Sequence, residues 1–178
     1  PDADIQVTGF ENAKRVGDNT LDLVISNVPF GNFRVTDKKR PQYARQSIHN
    51  YFISRSIDAA RPGGLVMEIT SHFTMDSVSG ASIREEWGRK ADLVAAVRLP
   101  GTAFEKNAGT QVTTDILIFR KKDSGLSPVS NAFRNVENVE TPDGPAVVNE
   151  YFVQHPEMVL GEHSLQGSMY GENEYTLK

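Results

Sequence analysis

The sequence predicts an α/β fold, on three observations. Short, apolar and partly β-branched runs recur in the pattern of buried strands, at residues 21–26, 65–70, 92–100 and 113–120. A helical period separates the first run from the second, so this pair is expected to form a right-handed parallel crossover. No helical period separates the last two runs, which predicts an antiparallel hairpin at the edge of the sheet.

The connecting segments follow the same logic. The first strand ends where Asn27 and Pro29 predict a turn, and the polar, basic segment 31–46 is expected to be a mobile surface loop. Residues 47–60 have a helical period with Ser47 as a plausible cap, and a second helix is expected at residues 82–90. Helices and strands therefore alternate through the first two thirds of the chain.

The two ends of the chain differ from this middle part. Residues 4–8 have a strand pattern, and the chain starts at Pro1 rather than Met, which suggests a fragment of a longer protein. Beyond Lys122 clear periodicity is lost and Ser, Asn, Pro, Gly and Asp become frequent. We therefore expect a partial domain at residues 1–122, and a linker with an irregular docking tail at residues 123–178.

Composition limits the possible functions. The 178 residues carry a formal net charge of -4, which gives no bulk electrostatic reason for strong nucleic-acid binding. No apolar run approaches the length of a membrane span, so we expect a cytoplasmic protein without a membrane partner. The absence of cysteine excludes disulfides, thiolate zinc sites and the covalent route to cytosine carbon 5, and the four histidines lack metal-ligand spacing.

One motif points to chemistry. Asn27-Val28-Pro29-Phe30 follows a buried strand and resembles the Asn-Pro-Pro-aromatic motif of amino-group methyltransferases, with Val28 in place of the first proline. Ligands bind at this edge of open α/β sheets. The resemblance implies that the Asn27 side chain and the Val28 carbonyl accept the two N–H hydrogens of a target amine. Phe30 would stack on the extruded base.

Later segments match the same family in the same order. Pro62-Gly63-Gly64, Thr70-Ser71, Arg98-Leu99-Pro100-Gly101 with Phe104, Thr110 and residues 114–122 resemble the later motifs of modification subunits of restriction systems. The Val28 variant is similar to helicase-associated methylases of plasmids and phages. The resemblance identifies the chain as the carboxyl part of an N6-adenine DNA methyltransferase, with part of a Rossmann-like sheet.

The resemblance also implies binding residues. Phe104, Gly31, Arg34 and Lys39 are expected to contact DNA. The basic loop is equally well explained as a solvated surface. For Phe104 the alternative is an apolar plug, and the resemblance favours the contact with the base.

The expected cofactor is S-adenosylmethionine, with Phe10 or Glu11 beside its adenine ring. The Gly-rich turn that would hold its amino acid part has no match in the sequence, so the isolated chain is expected to be inactive without a missing amino-terminal part.

Several alternatives stay open. Asn-x-Pro-Phe alone is a common strand-to-turn sequence. The same acceptor geometry suits a glutamine amide or an RNA base amine. The chain is alternatively a non-catalytic interaction module, which would form a homodimer through the exposed edge of the strand at residues 4–8. Tight donor binding by the isolated chain would exclude this last reading.

Overall fold

The computed structural model describes residues 3–105, 112–123, 133–167 and 173–178, and a four-stranded sheet forms its centre. Its strands, in the spatial order β1-β2-β4-β3, are β1 Leu21–Asn27, β2 Ala60–Ser71, β4 Thr114–Lys121 and β3 Ala91–Leu99. β1 pairs parallel with β2, and β4 runs antiparallel to both β2 and β3. The parallel crossover and the antiparallel edge hairpin predicted from the sequence are both confirmed. Because β1, β2 and β3 share one direction, their carboxyl ends meet at the same edge.

Helices cover one face of the sheet. They are α1 Ile48–Ala59, the short α2 Phe73–Asp76 and α3 Ala81–Lys90. The Ser47 side chain accepts a hydrogen bond from the Asn50 backbone N–H at 3.3 Å, so the predicted cap is present. Trp87 of α3 donates its indole N–H to the hydroxyl of Ser54 on α1 at 2.8 Å. This contact ties the two helices together above the sheet.

The tail after Lys122 is more regular than the sequence suggested. It contains a hairpin of β5 Val136–Thr141 and β6 Gly144–Asn149, the short helix α4 Glu150–Gln154, and the pair β7 His163–Gly167 with β8 Glu174–Leu177. Asp143-Gly144 is a hairpin-turn sequence, and Gly144 adopts a φ of 123°. The expectation of an irregular tail was wrong because this turn signal was overlooked. The boundary at residue 122 stays a prediction.

The tail also packs into the main core. Phe133, Val148 and Phe152 belong to the same buried cluster as Val66 and Phe119 of the sheet. The Phe119 and Phe133 rings lie 5.9 Å apart. The tail therefore packs against the sheet and contributes to its stability.

One local expectation was wrong. Residues 4–8 form no strand, and Ile5 and Val7 are 81% and 99% exposed. A strand needs a pairing partner, and this segment instead folds back locally, since Gln6 bonds with the backbone of Lys14. The expected homodimer edge is therefore absent at residues 4–8. The segment 31–46 is anchored by the buried residues Asp37 and Tyr43.

Within the described ranges, no helix combines the length and the apolar character needed to cross a membrane.

Candidate active site

The motif Asn27-Val28-Pro29-Phe30 leaves the sheet at the carboxyl end of β1. Asn27 is the last residue of the strand and is exposed. Val28 is buried, and its backbone N–H donates to the Ile69 carbonyl of β2 at 3.0 Å. This bond continues the sheet one residue beyond β1 and fixes the start of the loop. The rigidity that a proline would have supplied at position 28 is thus partly replaced by pairing with β2.

Phe30 lies against the first turn of α1. Its ring centroid is 5.6 Å from that of His49, with the planes at 70°, and the residue is 43% exposed. An edge contact of this kind holds a ring in place without covering both of its faces. Phe30 is thus held in position while it offers surface for a stacked ring.

The predicted cofactor residues lie on the same side of α1. The Phe10 ring is 5.2 Å from the Phe52 ring, and the Arg55 guanidinium lies 5.4 Å from its centroid. His49 and Phe52 are three residues apart, so they are neighbours on one helical face. The helix therefore brings Phe10 and Phe30 within about one turn of each other. Glu11, half-buried, accepts a hydrogen bond from the Asn12 side chain.

Phe104 emerges at the same sheet edge, beyond the end of β3. It is half-buried, in a segment whose Gly101 N–H donates to the Leu177 carbonyl of β8 at 2.8 Å. The tail therefore anchors the base of the loop that carries Phe104. Thr110, from the same motif, lies outside the described residues.

The two predicted cations, Arg34 and Lys39, are exposed on the loop after the motif. In the described part of the chain neither forms an ion pair, whereas Arg40 pairs with Asp18 and Asp37. Asp37 is buried and accepts from the Tyr51 hydroxyl at 2.9 Å. The loop is therefore fixed internally while two cations stay available to an anionic ligand.

Glu68 is a site residue to which the sequence assigned no role. It lies on β2 opposite Ser26, next to the motif, and is fully buried. Burial raises the pKa of Glu68 to about 7, while the nearby Ser56 and Ser26 hydroxyls oppose the rise. Within the described residues, neither carboxylate oxygen has a partner at hydrogen-bond geometry, so the contacts with the two serines are weak. In the sequence, Glu68 is a lone carboxylate in an otherwise apolar strand, and this pattern could have marked it as a site residue.

Arg98 connects three elements behind the sheet edge. Its guanidinium binds Asp115 of β4 at 2.8 and 2.9 Å and Asp76 of α2 at 2.8 and 2.9 Å. The Tyr175 hydroxyl of β8 lies 3.2 Å from it. Burial alone would raise the pKa of Asp76, but the charge of Arg98 and the bond from His72 hold that pKa below its ordinary value. These contacts lock the ends of β3 and β4 to the tail.

A groove of about 650 Å³ opens beside the motif. It begins at Gly31, directly after Phe30, and runs between the start of α1 and the α2–α3 segment. Phe73, which follows the end of β2, lines it and is 50% exposed. The two walls of this groove are more than 20 residues apart in the chain and come together only in the fold, so no local sequence pattern marks it.

Comparisons with known proteins bear on the fold. No family model matches the chain. It is 32% identical over 131 residues to "Defense against restriction protein B" of Escherichia phage P1, a match that covers 71% of this chain and 6% of that protein. The chain therefore spans a small fraction of this curated relative.

Solved structures match at lower identity. A protein from Listeria monocytogenes described as a class I S-adenosylmethionine-dependent methyltransferase superposes with a TM-score of 0.53 and 22% identity, over 66% of this chain and 36% of that one. The M protein of the type I restriction enzyme EcoKI has 22% identity over 65% of this chain and 23% of its own, with a TM-score of 0.46. The first match shows the fold alone, and it confirms the predicted partial methyltransferase sheet.

Proposed function

We propose that this chain is the carboxyl part of the catalytic domain of a DNA methyltransferase that methylates adenine N6, using S-adenosylmethionine. The observation that carries the proposal is the placement of Asn27 and Phe30. A site for a planar aromatic amine that has left the DNA stack needs a hydrogen-bond acceptor and an accessible ring for stacking. The exposed Asn27 amide at the end of β1 and the Phe30 ring, held in place by His49, offer both. The name of the phage relative, defence against restriction, supports a link to restriction systems.

In the proposed mechanism the target base leaves the DNA stack and lies on Phe30. The lone pair of an exocyclic amine is delocalised into the ring, so the amine is a poor nucleophile. The Asn27 side-chain oxygen and the Val28 carbonyl accept hydrogen bonds from the two N–H groups of the amine. These bonds orient the amine so that its lone pair points at the methyl carbon. The proton that the nitrogen loses on methylation passes to water, so neither acceptor needs to change charge. Phe104 and the cations Arg34 and Lys39 would contact the base and the DNA backbone.

The cofactor fits these residues in part. When bound, S-adenosylmethionine supplies an electrophilic methyl group. Phe10 offers an aromatic ring and Glu11 a half-buried carboxylate, which suit the adenine and the ribose hydroxyls of a nucleoside. We propose that further polypeptide of a longer protein holds the amino acid part. The small share of the phage protein that this chain covers supports this division.

A second candidate, an interaction module without activity, is favoured by one observation. Leu23, Ile25 and Val94 on the face of the sheet opposite the helices are 49%, 66% and 50% exposed. Apolar surface of this kind commonly marks a contact with further protein. A second copy of the chain is one possible partner.

Product identification separates these candidates. The longer protein is incubated with labelled S-adenosylmethionine and with DNA, RNA or protein, and the products are hydrolysed and analysed by mass spectrometry. The proposal predicts N6-methyladenine from DNA. Label in RNA or in a glutamine amide would move the activity to that substrate, and no transfer together with dimerisation of the chain would favour the interaction module.

A further inference from the structure

The strand β8 of the tail lies across both ends of the β3–β4 connection, residues 100–113. At the first end, the Gly101 N–H donates to the Leu177 carbonyl of β8 at 2.8 Å. At the second end, the Thr113 hydroxyl accepts a hydrogen bond from the Leu177 N–H at 2.9 Å. Leu177 and Thr113 are 1% and 3% exposed, so water does not compete for these groups. One residue of β8 therefore joins the two ends of the connection that carries Phe104.

β8 approaches the first end so closely that a side chain at position 101 has no room. A Cβ on Gly101 would lie 2.8 Å from the Thr176 hydroxyl oxygen, which is shorter than van der Waals contact. It would lie 3.7 Å from the Thr113 hydroxyl oxygen, which is an ordinary contact. The Thr113 and Thr176 hydroxyls are themselves 3.4 Å apart. The two ends of the connection and β8 are thus packed against one another.

β8 is also fixed to the rest of the fold. The Tyr175 hydroxyl is 3.2 Å from the buried Arg98 guanidinium, and β8 pairs antiparallel with β7. Next to this pair, the backbones of Lys178 and Glu162 exchange two hydrogen bonds at 2.8 and 3.0 Å. β8 is therefore a firm support for the connection.

Phe104 lies three residues after the supported Gly101. Two hydrogen-bonded turns lead to it, since the backbone N–H groups of residues 103 and 105 donate to the carbonyls three residues earlier, at 2.9 and 3.1 Å. Turns closed in this way restrict the backbone between their ends. The position of Phe104 at the sheet edge therefore depends on where β8 holds Gly101.

We infer that β8 holds the β3–β4 connection in the conformation that presents Phe104, and that Thr113 is a positioning residue for the target base. The inference rests on the proposed function, in which Phe104 contacts that base. Thr113 is buried and acts only through Phe104. Its hydroxyl holds Leu177, Leu177 holds Gly101, and Gly101 sets the start of the turns that lead to Phe104.

Hydrogen exchange of the full chain, read by mass spectrometry, tests the support itself. Thr113→Val keeps the shape of the side chain and removes the acceptor of the Leu177 N–H. Since one lost hydrogen bond changes an equilibrium about fivefold, peptides with residues 101–105 should exchange about fivefold faster. Thr113→Ser keeps the hydroxyl and should restore the original rate. Gly101→Ala places a methyl group against β8 and should behave like Thr113→Val.

Methylation kinetics of the longer protein test the positioning role. Phe104→Ala should raise the KM for DNA about tenfold, as expected for a lost stacking contact. Thr113→Val should raise this KM about fivefold with little change in kcat, because the acceptors at Asn27 and Val28 stay in place. In the Phe104→Ala background, Thr113→Val should have no further effect on the KM, because a positioning residue acts only through the residue that it positions.

Thr141→Val is the matched control. The Thr141 hydroxyl also makes two hydrogen bonds, donating to the Gly144 carbonyl at 2.7 Å and accepting from the Asp143 N–H at 3.1 Å. These bonds lie in the β5–β6 hairpin and do not involve the β3–β4 connection. The substitution should therefore leave the exchange of residues 101–105 and the KM for DNA unchanged.

Three results overturn the inference and leave the proposed function standing, provided that the longer protein forms N6-methyladenine in DNA. The first is unchanged exchange of residues 101–105 in Thr113→Val. The second is an unchanged KM for DNA in Thr113→Val or in Phe104→Ala. The third is a rise in KM from Thr113→Val that is equally large in the Phe104→Ala background, which would show a general effect on the fold. A longer protein that methylates no DNA would overturn both the inference and the proposed function.

Discussion

The two faces of the central sheet differ in how far their side chains are buried. On the helix-covered face Val66, Leu117 and Phe119 are fully buried, and Glu68 and Arg98 lie among them. On the opposite face Leu23 is 49%, Ile25 66% and Leu65 36% exposed. The stability of this chain therefore depends on one face, while the other keeps apolar surface available to further protein.

The largest expected effect comes from the buried charges on the covered face. Arg98→Met would leave Asp76 and Asp115 buried without a cation, which typically costs about 3 to 5 kcal/mol. Urea denaturation followed by circular dichroism measures the loss. Arg120→Met on β4 is the matched control, because Arg120 is exposed and should change stability by less than about 0.5 kcal/mol. Equal effects of the two substitutions would contradict the account.

The next effect concerns pH. The pKa of Glu68 is about 7 in the folded chain and near 4.5 when unfolded, so the folded state binds the proton more tightly. Its contribution to stability is present below pH 4.5 and is lost as the pH rises through 7, by up to about 3 kcal/mol. Glu68→Gln should remove this dependence and be the more stable form at pH 8. The measurement is the difference in unfolding free energy between the two proteins, taken from denaturation curves at several pH values between 5 and 8. If the unfolding free energies of the two proteins depend on pH in the same way, Glu68 ionises normally.

The smallest effect is expected on the open face. Ile25→Ser should change the unfolding free energy by less than about 0.5 kcal/mol, because the side chain is already 66% exposed. Val24→Ser, one residue earlier, changes a side chain packed against the core and should cost more than about 1 kcal/mol. Analytical ultracentrifugation of the same variants tests self-association. Dimerisation that Ile25→Ser abolishes would identify the open face as a contact surface.

The sequence predicted the strands of this sheet well, because their patterns are local. The apolar runs and the Ser47 cap are set by residues close together in the chain, and β1 through β4 appear where expected. The motif at Asn27 was predicted for the same reason, since a strand end and a turn are adjacent. The strand predicted at residues 4–8 is absent, because a strand forms only where a neighbouring strand can pair with it. The local sequence does not show whether such a neighbour exists.

The parts of the site that were missed are the ones built from distant segments. Gln46 and Phe73 line one groove from opposite walls, and Arg98 joins Asp76 to Asp115 and the tail. Single residues such as Glu68 and Arg98 interrupt apolar strands visibly, but only the fold shows that one is unpaired and the other fully paired. Spacing along the chain contains no information on such contacts.

The most direct test of the central claim is the methylation rate of an Asn27→Ala variant in the longer protein, with S-adenosylmethionine and adenine-containing DNA. Loss of one preorganised acceptor should lower kcat by about 100-fold or more while leaving donor binding unchanged. Asn138→Ala, an exposed asparagine on β5, serves as the matched control and should keep the full rate. An Asn27→Ala variant that methylates as fast as its control would contradict the assignment of this motif as the catalytic site.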